Sequence, residues 1–304
     1  MTEYELYHDE STEKGYWHGI LLVPIEKKHL ILEYLEQVRH NTSYFDPISI
    51  KNVKKVNRVF SCASSWIQIG LGFLRSRAKT EPYPVSLGKR NNRQNYVNLP
   101  PVATGLKFIL FHERDNLDAM TGYPDRASKV ETTFRFAIKG GMHFLGSDEQ
   151  SIYIEKMHFD GHEHYLRHLD RNRIVGRLQG LREYCSISDR ADNIDDRSSD
   201  HRKKEESQAY DDCQLLQLTD LLIGSFRTAL GVVTRNIHKE LATLSKDLIS
   251  DYQKGFARMR NSRWFNSFWL SECFLQNGEW HFEILDFIEN DSTNKQLSLF
   301  ETLE

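Results

Sequence analysis

An α/β fold, with a mixed sheet covered by helices on both faces, is predicted by three features of this sequence. The chain opens with two apolar, strand-like segments close enough to pair as a hairpin. From Gly105 onward, short apolar segments alternate with stretches whose apolar residues recur at helical spacing. The most polar stretches fall between these segments and not inside them.

The elements follow in order. Residues 3–10 carry Tyr4, Leu6 and Tyr7 and read as a strand ending in Asp9-Glu10-Ser11, with a turn over 12–15. Residues 16–24 (YWHGILLVP) form a near-continuous apolar run stopped by Pro24, the pattern of a well-buried strand paired with the first. Leu30, Ile31, Tyr34, Leu35 and Val38 place a helix over 26–40, and a second helix is expected around 53–75. Residues 76–105, rich in Asn, Pro and charge, read as a long loop or insertion. A third strand is expected over 105–112 and a helix over 129–145, in which Gly140 and Gly141 are the weak points. A fourth strand (151–160, SIYIEKMHFD) closes at Gly161, followed by a helix from 162 to about 182 and a short fifth strand at 183–188. Residues 189–206 have almost no apolar side chain and are expected to be a mobile loop. A strongly apolar helix follows over 213–230. Residues 237–277 are expected to be helical, with Trp264, Phe265, Phe268, Trp269 and Phe274 packing them on the main domain, and 280–288 alternate like a strand. The predicted organisation is a main domain at 1–235, with insertions at about 43–104 and 189–212, and a mainly helical C-terminal extension at 236–304 packed on it.

With 304 residues, 39% hydrophobic and 27% charged, the chain has the composition of an ordinary globular protein that can bury its own core. No apolar run approaches the length that crosses a bilayer, so no membrane partner is expected. The first residues are acidic and lack the basic and apolar regions of a signal peptide, and the four cysteines show no short C-x-x-C spacing. A cytoplasmic protein without a disulfide framework is therefore expected.

The net charge of −3 hides an asymmetry: residues 51–93 hold ten bases against the single acid Glu81. They are Lys51, Lys54, Lys55, Arg58, Arg75, Arg77, Lys79, Lys89, Arg90 and Arg93, with Phe60, Trp66, Phe73, Tyr83 and Tyr96 among or beside them. Bases mixed with aromatic rings suit a surface that neutralises phosphates and stacks nucleobases. A solvated basic face, or a contact for an acidic protein partner, is the plainer alternative.

Asp220 is the most informative residue, because it is the only charge in the fourteen positions of 213–226 (CQLLQLTDLLIGSF). A carboxylate inside an apolar helix needs a cation, strong donors or a raised pKa. Arg227, seven residues on and on the same face, is the structural candidate for that partner. Asp9 and Asp160 end the first and fourth predicted strands, so both emerge at one end of the sheet if those strands are neighbours. Converging carboxylates repel, and a hard divalent cation such as Mg²⁺ resolves that repulsion and promotes phosphodiester cleavage. Taken singly, each Asp also fits a cap, a turn or an ion pair.

The opening YHDES, the strand ending HFDG and the helix LLQLTDLLIGS resemble the ribonuclease-H-like proteins of domain-of-unknown-function family 3800, over roughly residues 3–230. The resemblance implies a ribonuclease-H-like mixed sheet, binding of Mg²⁺ or Mn²⁺ by Asp9, Asp160 and Asp220, and nuclease-like hydrolysis of DNA or RNA, in a defence or mobile-element setting. Glu131 and Glu10 are the two candidates for a fourth carboxylate. Thr12 stands where the family usually has Gly, and Thr219 where it has Ala. A non-catalytic nucleic-acid-binding or scaffold subunit of a larger assembly is the competing reading.

The run HFDGHEHYLRH crowds His158, His162, His164 and His168 around Asp160, but without an H-E-x-x-H pattern. Solvent-facing histidines at a helix start are the plain reading; His164 and His8 are the candidates for a proton donor near Asp160. Arg167, Arg171, Arg173 and Arg177 add a basic run that fits phosphate contacts or a solvated face equally.

Overall fold

The two opening segments pair as their apolar content predicts. β1 (Thr2–Ser11) and β2 (Tyr16–Pro24) form an antiparallel hairpin in which Tyr7 lies across from Leu21 and Asp9 from Gly19. β2 is buried along its whole length, as befits a strand covered on both faces. The turn between them takes left-handed backbone at Lys14 and Gly15, and at Gly15 a β-carbon would also strike His112. The computed structural model describes residues 1–54, 58–75, 83–90, 93–99, 105–145, 152–160, 170–181, 185–188, 194–197, 209–232, 238–243, 245–247, 249 and 267–285.

Beyond the hairpin, the chain forms α1 (Lys28–Thr42), α2 (Arg58–Arg75), β3 (Tyr83–Arg90), β4 (Arg93–Leu99), β5 (Lys107–Glu113), α3 (Arg126–Leu145) and β6 (Ile152–Asp160). It continues with α4 (Arg171–Gln179), β7 (Ser186–Ile187), β8 (Ile194–Arg197), α5 (Tyr210–Ala229), β9 (Phe268–Gln276) and β10 (Glu279–Ile284). The main sheet runs β10-β9-β5-β2-β1-β6-β7, and β8 also pairs with β6. It is mixed: β1 is parallel to β6 and β5 to β9, whereas β2 is antiparallel to both its neighbours and β10 to β9. An α/β fold with a mixed sheet and helices is thus present.

The two faces of the sheet carry different helices. Tyr7, on one face of β1, reaches Asp212 of α5, while His8, on the other, packs edge-on against Phe134 of α3. α5 is buried nearly all round, between the sheet and α1 with α2. Two glycines let it come close: a β-carbon at Gly19 would lie 2.1 Å from Ile223, and one at Gly224 would lie 2.3 Å from Ile50.

Several expectations need correction. Part of the expected 76–105 loop is a hairpin, β3 with β4. The two strands are separated by Asn91 and Asn92, residue types that favour tight connections. The expected loop at 189–206 contributes β8, because pairing with β6 uses backbone groups and requires no apolar side chains. Gly140 and Gly141 do not break α3; at Gly141 the missing β-carbon admits Ile109. The helix expected from 162 is described from Arg171, where the Asp170 side chain caps it by accepting from the Arg173 amide (3.1 Å). Residues 238–243 are helical, but 268–276, expected as helix, is strand β9. Phe268, Trp269, Leu270 and Cys273 are buried on it, and Asn277-Gly278, both at positive φ, turns the chain into β10. An Asn-Gly pair between apolar runs is a hairpin signal that outweighs the helical spacing of the aromatic residues. Among the described residues, no helix is long and apolar enough to cross a membrane.

Candidate carboxylate site at the ends of two parallel strands

Asp160 is the last residue of β6, and Asp9 lies near the end of β1. The parallel register pairs Tyr7 with His158 and His8 with Phe159, so Asp9 and Asp160 come next on adjacent strands at the same end of the sheet. α5 runs along β1 in the same direction. Asp212 accepts a hydrogen bond from the Tyr7 hydroxyl (3.0 Å), and Arg227 donates to Ser11 Oγ (2.5 Å) and to the Glu13 carbonyl (2.7 Å). Asp220 lies between them on the helix, and Ile223 fits over Gly19, the residue across from Asp9.

Electrostatics register the convergence. Burial, and then the charges of Asp220 and Asp160, hold the Asp9 carboxyl well above the usual range; the Glu10 amide, donating to Asp9 Oδ1 (2.8 Å), opposes them. Asp220 is pushed up to about 6, mainly by burial with a contribution from Asp160, against the Ile50 amide, the Ser49 side chain and Lys51. Three carboxylates distant in sequence therefore act on one another. Arg227 does not hydrogen-bond Asp220: its guanidinium serves Ser11 and Glu13 and lies over the Trp17 ring.

The donors that hold Asp220 come from a loop. Asp220 Oδ2 accepts the Ile50 amide at 2.6 Å, and Gln217, three residues earlier, accepts the Ile48 amide at 2.9 Å. Arg39, buried and stacked over Trp66, donates to Gln214 (3.1 Å), to Gln217 (2.9 Å) and to the carbonyls of Tyr44 (3.3 Å) and Asp46 (2.9 Å). Gln214, Gln217 and Asp220 thus form a polar stripe on an apolar helix. That three-residue spacing was visible in the sequence, whereas the loop amides were not.

The remaining candidates are placed differently. Glu10 accepts from the Tyr16 hydroxyl. Glu131, buried on α3, is held by Arg173 of α4 through two bonds (2.6 and 2.7 Å), with Arg177 at 3.3 Å. The structure ties Glu131 to these arginines and Glu10 to Tyr16. Thr219 is buried and caps the Leu215 carbonyl (2.8 Å) within α5. His8 bonds His18 (2.8 Å), which bonds Thr133 (2.8 Å), so His8 belongs to the α3 side of the sheet and does not face the carboxylates. Burial drives the His8 pKa down to about 3 and keeps it neutral. His162, His164, His168 and Arg167 lie outside the described residues. Of the bases, Lys51, Lys54 and Arg58 are exposed, the first two on the stretch that follows Ile50. Arg75 ends α2, Lys89 and Arg90 end β3, and Arg93 opens β4; Lys55, Arg77 and Lys79 lie outside the described residues.

A second polar cluster was not foreseen. Glu5, His158 and Asp212 bring ligand-type atoms within 4.8 Å of one another, a spacing that fits a metal ion. Lys28 from the start of α1 enters the same cluster, 2.6 Å from Glu5 and 2.7 Å from Asp212. The Tyr7 hydroxyl, with one proton, lies within hydrogen-bond reach of both carboxylates, and its ring stacks on His158. An ammonium group thus already offsets one of the two acidic charges. Burial alone would raise the Glu5 pKa, but His158, Lys28 and Tyr7 together bring it well below the usual range.

Comparison of the chain with protein-family models, with curated proteins and with solved structures gave no match.

Proposed function

We propose that this chain is a metal-dependent nuclease of the ribonuclease-H-like type, related to domain-of-unknown-function family 3800 and hydrolysing phosphodiester bonds in DNA or RNA. The observation that carries the reading is that the parallel neighbours β1 and β6 bring Asp9 and Asp160 to one end of the sheet, with Asp220 of α5 close enough for its charge to add to the burial that raises the Asp9 pKa. The strand arrangement agrees, since the reading requires the first strand to lie parallel beside the strand that ends in Asp160. The donor set fits Mg²⁺ or Mn²⁺: hard carboxylate oxygens, mutually repelling and partly buried, are stabilised as anions by a divalent charge. When bound, such an ion supplies an activated water and charge stabilisation for the leaving oxygen. Asp9, Asp160 and Asp220 would hold it, and Lys51, Lys54 and Arg58 would take up substrate phosphates near the site.

The test is cleavage of single- and double-stranded DNA and RNA by the purified chain in Mg²⁺, in Mn²⁺ and in chelator. Asp9→Asn and Asp220→Asn are expected to reduce cleavage by more than the roughly 10–100-fold that outer-shell substitutions cost. Wild-type rates in both variants would sink the catalytic assignment. One observation favours a second reading, a non-catalytic nucleic-acid-binding subunit of a larger assembly: Glu131 is engaged by Arg173 and Arg177. Salt-sensitive binding of nucleic acid without metal-dependent turnover would select it.

A further inference from the structure

The 44–52 loop is fastened to α5 at more points than a surface loop needs. Arg39 is only 1% exposed, yet it spends its donors on Gln214, Gln217 and the carbonyls of Tyr44 and Asp46. Tyr44 closes the loop on itself through the Pro47 carbonyl (3.0 Å), and Ile50 sits against Gly224, where a β-carbon would collide with it. The loop delivers two alternate backbone amides to the helix, Ile48 to Gln217 and Ile50 to Asp220 (2.6 Å). The second is the shorter and goes to a carboxylate. Ionised acceptors form shorter and stronger bonds, and a carboxylate has further lone pairs with which to ligate.

We infer that the Ile50 amide, beside the Ser49 side chain, is a positioning group for Asp220, making the 44–52 loop the outer shell of the ion site. This rests on the proposed ion site. Groups that hydrogen-bond a metal-ligating carboxylate fix the orientation of its remaining lone pairs, and their loss weakens metal binding without removing a ligand. The same loop leads directly into Lys51 and Lys54, both exposed. Phosphate contacts at these lysines and ion binding at Asp220 therefore bear on one short piece of backbone. By linkage, any effect that one has on the affinity of the other is returned in equal measure.

A pair of substitutions isolates the amide. Ser49 is extended (φ −133°, ψ 146°), the conformation that a following proline demands, and Ile50 opens a 3-10 turn, where proline is tolerated. Ile50→Pro and Ile50→Ala both lose the isoleucine side chain, but only Ile50→Pro loses the N–H. Mn²⁺ binding to the full chain is measured by calorimetry, with circular dichroism as the check on folding. Ile50→Ala is expected to stay close to wild type, and Ile50→Pro to bind about 10-fold more weakly or worse. Gln217→Leu, which releases the Ile48 amide and one Arg39 bond, is the second arm and is expected to weaken Mn²⁺ binding in the same direction. If Ile50→Pro and Gln217→Leu bind Mn²⁺ as tightly as Ile50→Ala, the positioning role is overturned while the ion site stands. If the wild-type chain binds no Mn²⁺, the ion site itself falls, and the positioning role with it.

Discussion

At Gly19 a single missing methyl decides how close the helix bearing Asp220 comes to the strand bearing Asp9. A β-carbon there would lie 2.1 Å from Cγ1 and 2.3 Å from Cδ1 of Ile223, atoms that have little room to retreat in a buried helix. Gly19→Ala is therefore expected to destabilise the protein by about 1–3 kcal/mol, the usual cost of overpacking. Adding Ile223→Ala removes the opposing atoms and should recover part of that loss in urea denaturation. A loss within about 0.5 kcal/mol for Gly19→Ala alone, the scatter of ordinary surface changes, would show that α5 is not held at this distance. At this scale the sequence was legible where a side chain was out of place. Asp220 stood out because a lone carboxylate in an apolar run is costly, and on the helix its charge adds to the burial that raises the Asp9 pKa. Its actual partner was not legible. The Ile50 amide is a backbone group, which no residue type in the sequence announces, and Arg227, the partner suggested by spacing, acts on Asp220 through its charge while giving its hydrogen bonds to Ser11 and Glu13.

Between elements, the Glu5, Lys28, Asp212, Tyr7 and His158 cluster joins β1, α1, α5 and β6 at a level of the sheet before the carboxylate site. His158 reads in sequence as one of a run of solvent-facing histidines but is buried, and the other members read as ordinary polar residues, since no short spacing links five residues from four segments. The sheet register brings Tyr7 beside His158, and the α5 start brings Asp212. Glu5→Gln removes the carboxylate that Lys28, Tyr7 and His158 face and leaves Lys28 paired with Asp212, and a cost of about 1.5–3 kcal/mol at neutral pH is expected. The pH dependence follows from the sign of the Glu5 shift. Its folded pKa lies below the ordinary value of 4.5, so its contribution is fully present above that value and is lost as pH falls through the folded one. Wild type and Glu5→Gln should therefore converge in stability below about pH 4.5, measured by urea unfolding from pH 7.5 to 3.5. A gap that stays constant over that range would mean that Glu5 acts by packing and not by charge.

Across the whole molecule, the site depends on a sheet assembled from both ends of the chain. β2 and β5 were legible as near-continuous apolar runs, and β1 and β6 as shorter apolar stretches that close in turn residues. Of the two C-terminal strands, β10 was legible in the alternation over 280–288, whereas β9 was not, because aromatic residues at helical spacing masked the Asn277-Gly278 turn. The consequence is physical: β9 pairs in parallel with β5, so 267–285 continues the same sheet. Phe268 stacks on Phe108 of β5 and on Phe226 of α5, with ring centroids 6.2 and 4.8 Å apart. A chain ending at Ser267 would leave β5 as a long, flat, apolar edge, the kind that pairs with other chains. It would also uncover Phe226 on the helix that carries Asp220. Such a chain is expected to elute as aggregate in size-exclusion chromatography and to lose the cooperative thermal transition of the full chain. A monomeric product that melts cooperatively would instead establish that residues 1–267 fold without the C-terminal strands, and that β9 and β10 are an addition to a sheet already complete.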